Sequence, residues 1–310
     1  MTDPAKPLVL ISHEMLAPMQ AALEREGYAV AKRWELDPAQ APAVRAIVHA
    51  GEIELSPDFL SSLPALGLIA TVSAGYDGVD VPWCRARGVE VTHSKGQNAE
   101  DVADHAMGLL LGAWRGIVAD DRGMRAGVWR AERMAPRRGL NGRKVGIVGL
   151  GHIGRAVAVR AEAFQLQVSW WGPNPKPEAA WPRAESLMAL AQDSDILVLA
   201  TRAEAGNRAM IDRAIIEAVG PQGLIVNVAR GSVVDEDELI AALKDGRLGA
   251  AALDVFETEP TPTERWADVP NTVLTPHTAG GTSDSVPKMV GQALENLRRY
   301  FAGQELLSPV

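Results

Sequence analysis

Hydrophobic residues recur along this chain in short runs, separated by longer segments in which they are spaced by three or four positions. In the first third of the chain, four such runs predict strands: Pro7–Ser12, Ala43–His49, Gly67–Val72 and Val89–Thr92. An amphipathic helix is predicted over Glu14–Glu26, and Gly27 ends it. This alternation of strand and helix predicts a parallel sheet.

The rest of the chain repeats the pattern on a larger scale. A long helix is predicted from about Asn98 to Asp120, whereas Asp121–Arg143 has no clear period. Strands are then predicted at Lys144–Val148, Gln167–Trp171, Ile196–Ala200, Leu224–Val228, Ala250–Val255 and Val273–Thr275. Six strands with intervening helices predict a doubly wound domain. A last amphipathic helix, Val286–Phe301, is expected to return to the first domain, which gives one domain of residues 1–98 plus 281–310 and another of residues 99–280.

Composition limits the partners. The 310 residues are 47% hydrophobic and 23% charged, as in ordinary globular proteins, and the formal net charge of −8 argues against nucleic acid as a partner. The one cysteine, Cys84, excludes an internal disulfide and fits a reducing compartment. The N-terminal residues form no apolar signal segment, and no apolar run of about 18 residues predicts a membrane span. We therefore expect a cytoplasmic protein with no membrane partner.

Three glycines follow the first strand of the second domain. Lys144–Val148 runs into Gly149-x-Gly151-x-x-Gly154, and a helix-compatible segment comes next. The first glycine permits a tight turn, the second permits backbone contact with a pyrophosphate, and the third permits close packing of helix on strand. The phosphates would meet the amide groups at the helix N-terminus. Because strand, glycines and helix occur together, the sequence predicts a dinucleotide-binding loop.

The residue that ends the second strand bears on the choice of dinucleotide. NAD-binding domains usually carry an Asp or Glu about 20 residues after the glycines, where it binds the ribose hydroxyls. Gly172 stands there instead, so no carboxylate would repel the 2′-phosphate of NADP(H). Asn174 and Lys176 offer a donor and a positive charge. We therefore favour NADP(H) over NAD(H), although the usual phosphate-clamping Arg is also absent. The alternative is that the prolines of Gly172–Pro177 simply form a rigid loop that lacks an acid.

Three polar residues follow successive strands of the same domain. Arg230 comes after the fourth strand, Glu259 after the fifth and His277 after the sixth. Because the carboxyl ends of parallel strands share one edge, all three are expected near the nicotinamide. Arg binds a carboxylate and polarises the adjacent keto oxygen, His donates a proton, and Glu orients and charges the His. Each alone is equally consistent with a surface charge, a turn or a loop, but together they predict catalysis of carbonyl reduction.

Six segments in order carry a resemblance that covers almost the whole chain. They are Ser73–Asp80, Asn98–Asp104, Gly149–Gly154, Asn227–Ser232, Asp254–Pro260 and Pro276–Gly280. The chain resembles the D-isomer-specific 2-hydroxyacid dehydrogenase family, and within it the glyoxylate/hydroxypyruvate reductase branch. The resemblance implies an α/β fold, with a doubly wound Rossmann dinucleotide-binding domain and a smaller flavodoxin-like substrate domain.

The resemblance also implies roles for individual residues. Arg230 would bind the substrate, Glu259 would pair with the histidine, and His277 would donate the proton. The backbone at Ser73, Ala74 and Gly75 would bind the substrate carboxylate, and Asp254 would contact the nicotinamide carboxamide. The residues expected to contact the dinucleotide are Gly149, Gly151, His152, Ile153, Gly154, Gly172, Asn174, Lys176, Thr201, Val228, Ala229, Asp254 and Gly280. The other histidines, His13, His49, His93 and His105, lie in no such pattern. No His, Cys and acidic residues have metal-ligand spacing, so no metal is predicted.

The reaction expected from this resemblance is reduction of a small 2-keto acid, such as glyoxylate or hydroxypyruvate, to a D-2-hydroxy acid by hydride from NAD(P)H. The resemblance further implies a homodimer built through residues 100–140. Met134 stands where relatives often carry an aromatic residue that reaches the partner's pocket, which leaves the preferred substrate side chain open. Arg202 and Glu204 also depart from the family pattern.

Three alternatives to this reaction remain at the sequence level. The first is an NAD-preferring dehydrogenase for a bulkier 2-keto acid such as phenylpyruvate. The second is a formate or phosphonate dehydrogenase, although formate dehydrogenases carry Gln where this chain has Pro276. The third is a dinucleotide-sensing corepressor of the same fold, but the compact acidic chain shows no interaction tail.

Overall fold

The computed structural model describes residues 6–129 and 136–310. Met134 therefore lies outside the described residues. The chain divides into two compact units, Met1–Asn98 with Gly281–Val310, and Ala99–Gly280.

The first unit contains a five-stranded parallel sheet. Its strands are β1 (Leu8–Ile11), β2 (Ala29–Lys32), β3 (Val44–His49), β4 (Leu68–Thr71) and β5 (Glu90–Thr92), in the order β2-β1-β3-β4-β5. The sequence did not predict β2. This strand is only four residues long, lies at the sheet edge and buries only Ala31 fully, so its pattern is weak.

Short helices cover this sheet. They are α1 (Gln20–Arg25), α2 (Pro57–Ser61), α3 (Val81–Ala86) and, near the C-terminus, α11 (Ser285–Phe301). The single helix predicted over Glu14–Glu26 was wrong, because Glu14–Met19 is a 3-10 helix that contains Pro18. Helix α11 packs Met289, Ala293 and Leu297 on the side of the sheet that also holds Leu68 and Ala70.

The second unit contains a six-stranded parallel sheet. Its strands are β6 (Lys144–Val148), β7 (Gln167–Trp171), β8 (Ile196–Leu199), β9 (Leu224–Asn227), β10 (Ala250–Leu253) and β11 (Thr272–Leu274). The order is β11-β10-β9-β8-β6-β7, so the chain reverses direction across the sheet between β6 and β8. Ligands of doubly wound domains bind outside the carboxyl ends of the strands at such a reversal.

Helices cover both faces of this sheet. They are α4 (Ala99–Trp114), α5 (Ile117–Arg125), α6 (His152–Ala163), α7 (Leu187–Gln192), α8 (Arg213–Val219), α9 (Glu236–Lys244) and α10 (Thr263–Trp266). The one long helix predicted to reach Asp120 was wrong: it breaks at Gly116, which has a φ of +67°. Helix α5 then extends into the segment that was predicted to lack a period. Within the described ranges, no helix is long and apolar enough to cross a bilayer.

Candidate active site

The glycine loop of the second unit has a geometry that other residues would not permit. Gly149 has a φ of +94°, and a Cβ there would lie 2.8 Å from the Cα of Thr201. A Cβ on Gly154 would lie 2.0 Å from the carbonyl oxygen of Gly149, so only glycine lets the helix approach the turn this closely. Thr201 thus lies beside the loop, at the end of β8.

Open space and unpaired donors lie above the same loop. A Cβ on Gly151 would meet no atom within 4 Å. Helix α6 begins at His152 and includes Ile153, and no side chain caps its first amides. Uncapped amides at a helix N-terminus bind anionic groups. The residues present therefore fit the pyrophosphate of a dinucleotide.

The end of β7 leaves room at the position that discriminates between cofactors. Gly172 is buried, and a Cβ there would touch only the ring of Trp170, at 3.5 Å. Asn174 is exposed and Lys176 is partly exposed in the loop that follows. Arg183, which no sequence pattern indicated, donates a hydrogen bond from Nη2 to the carbonyl oxygen of Gly172 at 2.7 Å.

The loop after β9 carries Arg230 on a well-braced turn. The side chain of Asn227 accepts from the Ala229 amide at 2.9 Å and donates to the Arg230 carbonyl oxygen at 2.9 Å. A Cβ on Gly231 would lie 1.8 Å from the carbonyl carbon of Phe256, so the turn rests directly on the loop after β10. Val228 and Ala229 are buried. The Arg230 guanidinium donates from Nη1 to the Ala229 carbonyl oxygen at 2.7 Å.

Glu259 and His277 form a hydrogen-bonded pair between the loops after β10 and β11. Nδ1 of His277 lies 2.6 Å from Oε2 of Glu259, while Oε1 accepts from the Phe256 amide at 2.9 Å. Burial acts to raise the pKa of Glu259, but its hydrogen bonds and the positive charges of His277 and Arg230 lower it overall. The carboxylate therefore stays ionised at neutral pH and holds the imidazole by its Nδ1 side.

Asp254 fixes the loop on which His277 sits. Its side chain is 1% exposed and accepts from the Thr275 hydroxyl at 2.6 Å, the Thr278 amide at 3.0 Å and the Ala279 amide at 2.9 Å. Its backbone carbonyl accepts from the amide of His277 at 2.8 Å. His277 has a φ of +51°, which is uncommon for a residue other than glycine and is held by these bonds.

His105, which no sequence pattern indicated, completes this arrangement. Its Nε2 lies 2.9 Å from the Thr275 hydroxyl and 3.3 Å from Oδ1 of Asp254. Burial acts to raise the pKa of Asp254, but bonds from His105, Thr275 and the two loop amides lower it overall. His105 lies on α4, 149 positions before Asp254, so no local pattern could have linked the two.

The first unit contains the loop expected to bind a carboxylate. Ser73 Oγ accepts from the Gly51 amide at 2.9 Å and donates to the Gly75 carbonyl at 2.8 Å, and Nδ1 of His93 lies 2.8 Å from the Ala74 carbonyl oxygen. Among the residues described, the amides of Ser73, Ala74 and Gly75 have no hydrogen-bond acceptor. The loop thus holds free donors in a fixed backbone, as an anion site requires.

Gly280, expected to contact the dinucleotide, lies at the boundary of the second unit and is partly exposed. In the described residues, no three His, Cys, Asp or Glu side chains converge as a metal site would require.

Comparisons with known proteins agree with this geometry. Residues 107–279 match the description "D-isomer specific 2-hydroxyacid dehydrogenase, NAD binding domain". The chain is 38% identical to hydroxyphenylpyruvate reductase of Plectranthus scutellarioides, over 96% of this chain and 97% of that protein. It is 39% identical to a glyoxylate/hydroxypyruvate reductase of Arabidopsis thaliana, over 86% of each.

A solved structure is similarly close. It is the NADPH-dependent glyoxylate/hydroxypyruvate reductase of Sinorhizobium meliloti in complex with NADP and malonate. The TM-score is 0.90 at 32% identity, covering 98% of this chain and 97% of that one. The glycine loop, the His277–Glu259 pair and these likenesses agree, and the chain belongs to the D-isomer specific 2-hydroxyacid dehydrogenase family.

Proposed function

We propose that this protein reduces small 2-keto acids, such as glyoxylate or hydroxypyruvate, to D-2-hydroxy acids. The observation that carries the proposal is the His277–Glu259 pair beside Arg230, at the strand edge of the unit that holds the glycine loop. A bound nicotinamide dinucleotide supplies the hydride. The other steps belong to residues of the chain.

The three side chains divide the work by their chemistry. Arg230 presents a planar guanidinium that binds the substrate carboxylate through two bonds and polarises the keto oxygen. His277 donates a proton from Nε2 to that oxygen as the carbonyl carbon is reduced. Glu259 stabilises the protonated imidazole and holds its orientation. The free amides of Ser73, Ala74 and Gly75 are proposed as further ligands of the substrate carboxylate.

Replacement of His277 tests the proton donor. His277→Ala should lower kcat about 10²- to 10⁴-fold, because general acid catalysis contributes on that order. Its Kd for the dinucleotide should stay within about twofold of wild type, since the imidazole acts on the substrate. Glu259→Gln should lower kcat less and move the alkaline limb of the kcat–pH profile to lower pH, because the imidazolium loses its carboxylate.

Steady-state rates and cofactor titrations over a pH series measure these effects. His13→Ala, at an exposed histidine of the first unit, is the matched control and should behave as wild type. A His277→Ala rate above half of the wild-type rate would remove His277 as the proton donor.

A panel of keto acids tests the reaction itself. We expect NADPH oxidation, followed at 340 nm by its standard absorbance, with glyoxylate and hydroxypyruvate. The 38% identity to hydroxyphenylpyruvate reductase supports a second candidate, a dehydrogenase for bulkier acids, which predicts higher kcat/KM with phenylpyruvate. No turnover with any of these acids, or with pyruvate, would contradict both and favour a protein that only binds the dinucleotide.

The cofactor preference is proposed from Gly172. With no carboxylate at the end of β7, NADPH should exceed NADH in kcat/KM. Gly172→Asp should reverse or erase that preference, and the structure has room for the side chain. Two charges about 4 Å apart interact by roughly 1–4 kcal/mol, which changes the selectivity by about tenfold or more.

The ratio of kcat/KM for NADPH and NADH in both proteins measures the effect. Gly291→Asp adds the same charge at an exposed glycine of α11 with room for a side chain, and it should leave the ratio unchanged. A wild-type preference for NADH, or an unaltered ratio in Gly172→Asp, would mean that the Pro-rich loop selects by shape rather than by charge.

A homodimer through the 100–140 region is proposed on family resemblance and on the surface of α5. Four large apolar side chains are exposed on α5 and just after it: Ile117, Met124, Val128 and Trp129. Apolar surface of this kind marks an interaction site. A second copy of the chain would cover it.

The molar mass in solution tests this association. Sedimentation equilibrium should give wild type a molar mass of twice the monomer value of 33.1 kDa. Trp129→Glu should give a molar mass near that of the monomer, because a charge buried in an apolar interface is costly. Val159→Glu, at an exposed apolar residue of α6, is the control and should remain dimeric. A monomeric wild type, or a dimeric Trp129→Glu, argues against this interface.

We also propose a cytoplasmic location. It is supported by the single cysteine, Cys84, which is buried and unpaired, as suits a reducing compartment. Fractionation of cells that produce the protein tests it, and recovery with secreted or membrane material would contradict it.

A further inference from the structure

An extended segment runs along the free edge of the second sheet and carries a basic side chain to the cofactor end. The amide of Trp170 donates to the Pro182 carbonyl oxygen at 3.0 Å, and the amide of Ala184 donates to the Trp170 carbonyl oxygen at 2.8 Å. These bonds pair Arg183 with Trp170 as in a parallel strand. The buried indole of Trp170 also donates to the Trp181 carbonyl oxygen at 3.1 Å. The backbone of Arg183 is therefore fixed next to β7.

The guanidinium of Arg183 extends from that position to the end of the strand. Nη2 donates to the carbonyl oxygens of Gly172, at 2.7 Å, and of Pro173, at 3.4 Å. In the described part of the chain, its Nε and Nη1 groups have no acceptor, and no carboxylate lies within ion-pair distance of it. Three donors and an unneutralised positive charge thus lie directly beside Gly172.

The backbone of this loop cannot bind an anion well by itself. Of the six residues Gly172–Pro177, three are proline and have no N–H group. Pro173 also occupies the position after Gly172, where a phosphate-clamping arginine would follow the strand directly. A phosphate at this place would need a donor that comes from another segment, and Arg183 is such a donor.

The charges around the loop favour an anion. Lys176 lies in the loop, and Arg155, in the second turn of the glycine loop's helix, forms an ion pair with Glu178. Together with Arg183, and counting Glu185 two residues after it, these groups make three positive charges and two negative charges. The excess positive charge lies at the end of the strand where the adenosine ribose of a dinucleotide binds.

We propose that Arg183 binds the 2′-phosphate of NADP(H), and so replaces the clamping arginine that the sequence lacks. The inference rests on the proposed dinucleotide function and identifies the residue that sets its cofactor specificity. The phosphate group binds to Nε and Nη1, while Nη2 keeps the guanidinium on the Gly172 and Pro173 carbonyls. Lys176 contributes less, because a lysine is a point charge without the fork of an arginine.

Binding of adenosine fragments tests the proposal without any turnover. Isothermal titration compares 2′,5′-ADP, which carries the 2′-phosphate, with 5′-ADP, which lacks it. Wild type should bind 2′,5′-ADP at least tenfold more tightly, and Arg183→Gln should lose about tenfold or more for 2′,5′-ADP but less than twofold for 5′-ADP, since a charge-assisted bond contributes on that order. Arg183→Lys should fall between the two.

Two controls separate this role from a structural one. Arg213→Gln removes an exposed arginine of α8 that pairs with Glu217, and it should alter neither affinity. The affinity for 2′,5′-ADP should fall less steeply with salt in Arg183→Gln than in wild type. The melting temperature of Arg183→Gln should stay close to that of wild type.

The results separate a failure of the Arg183 proposal from a failure of the proposed function. Equal affinity of wild type and Arg183→Gln for 2′,5′-ADP, or an equal loss for both nucleotides, would overturn the role of Arg183 and leave the reductase proposal intact. If wild type binds neither fragment nor the intact dinucleotides, the proposed function itself fails.

Discussion

The buried carboxylate of Asp254 is the interaction on which the arrangement of the active-site loops depends. It sits at the end of β10, between the strands that precede Arg230 and His277, and it accepts from both amides that follow His277. A buried charge is costly unless it is paired and hydrogen-bonded, and here Thr275, His105 and the loop amides satisfy it. The same bonds hold His277 in a left-handed backbone conformation, from which its ring reaches Glu259. Loss of this carboxylate would remove the bonds that hold the loop carrying His277.

The second constraint is close packing of backbone on backbone at two glycines. Gly154 lets α6 approach the turn after β6, and Gly231 lets the Arg230 turn rest on the loop after β10. In both places a Cβ would overlap backbone atoms, which cannot move aside as a flexible side chain does. Close packing of backbone on backbone therefore sets the distances between the dinucleotide loop and the catalytic loops within this unit.

Much of this could be predicted from the sequence, because the relevant signals are local. The strand–glycine–helix pattern at Gly149–Gly154 and the polar residues after three successive strands are readable from spacing alone. The family was confirmed by the comparisons. The break at Gly116 was missed because glycine is tolerated inside helices and its positive φ is a property of the folded chain. The 3-10 turn at Glu14–Met19 was missed although Pro18 lies within it, because its apolar spacing fits an α-helix.

The contributions of His105 and Arg183 could not be found in the same way. His105 belongs to a helix whose apolar face explains its pattern, and only the packing of α4 against the sheet brings it to Asp254. Arg183 follows a proline-rich stretch, and the pairing of its segment with Trp170 depends on a sheet edge that the sequence does not mark. Long-range contacts of this kind produce no periodic pattern in the sequence, so they are visible only in the folded structure.

In the proposed reaction, Arg230 binds the keto acid and His277 protonates it. A crystal structure with NADPH and oxamate, an unreactive analogue of a 2-keto acid, tests this assignment most directly. We expect Nε2 of His277 to lie within about 3.2 Å of the oxamate carbonyl oxygen, and the Arg230 guanidinium to bind the oxamate carboxylate. A structure in which another residue donates to that carbonyl oxygen, and in which the Arg230 guanidinium does not touch the carboxylate, would contradict this assignment.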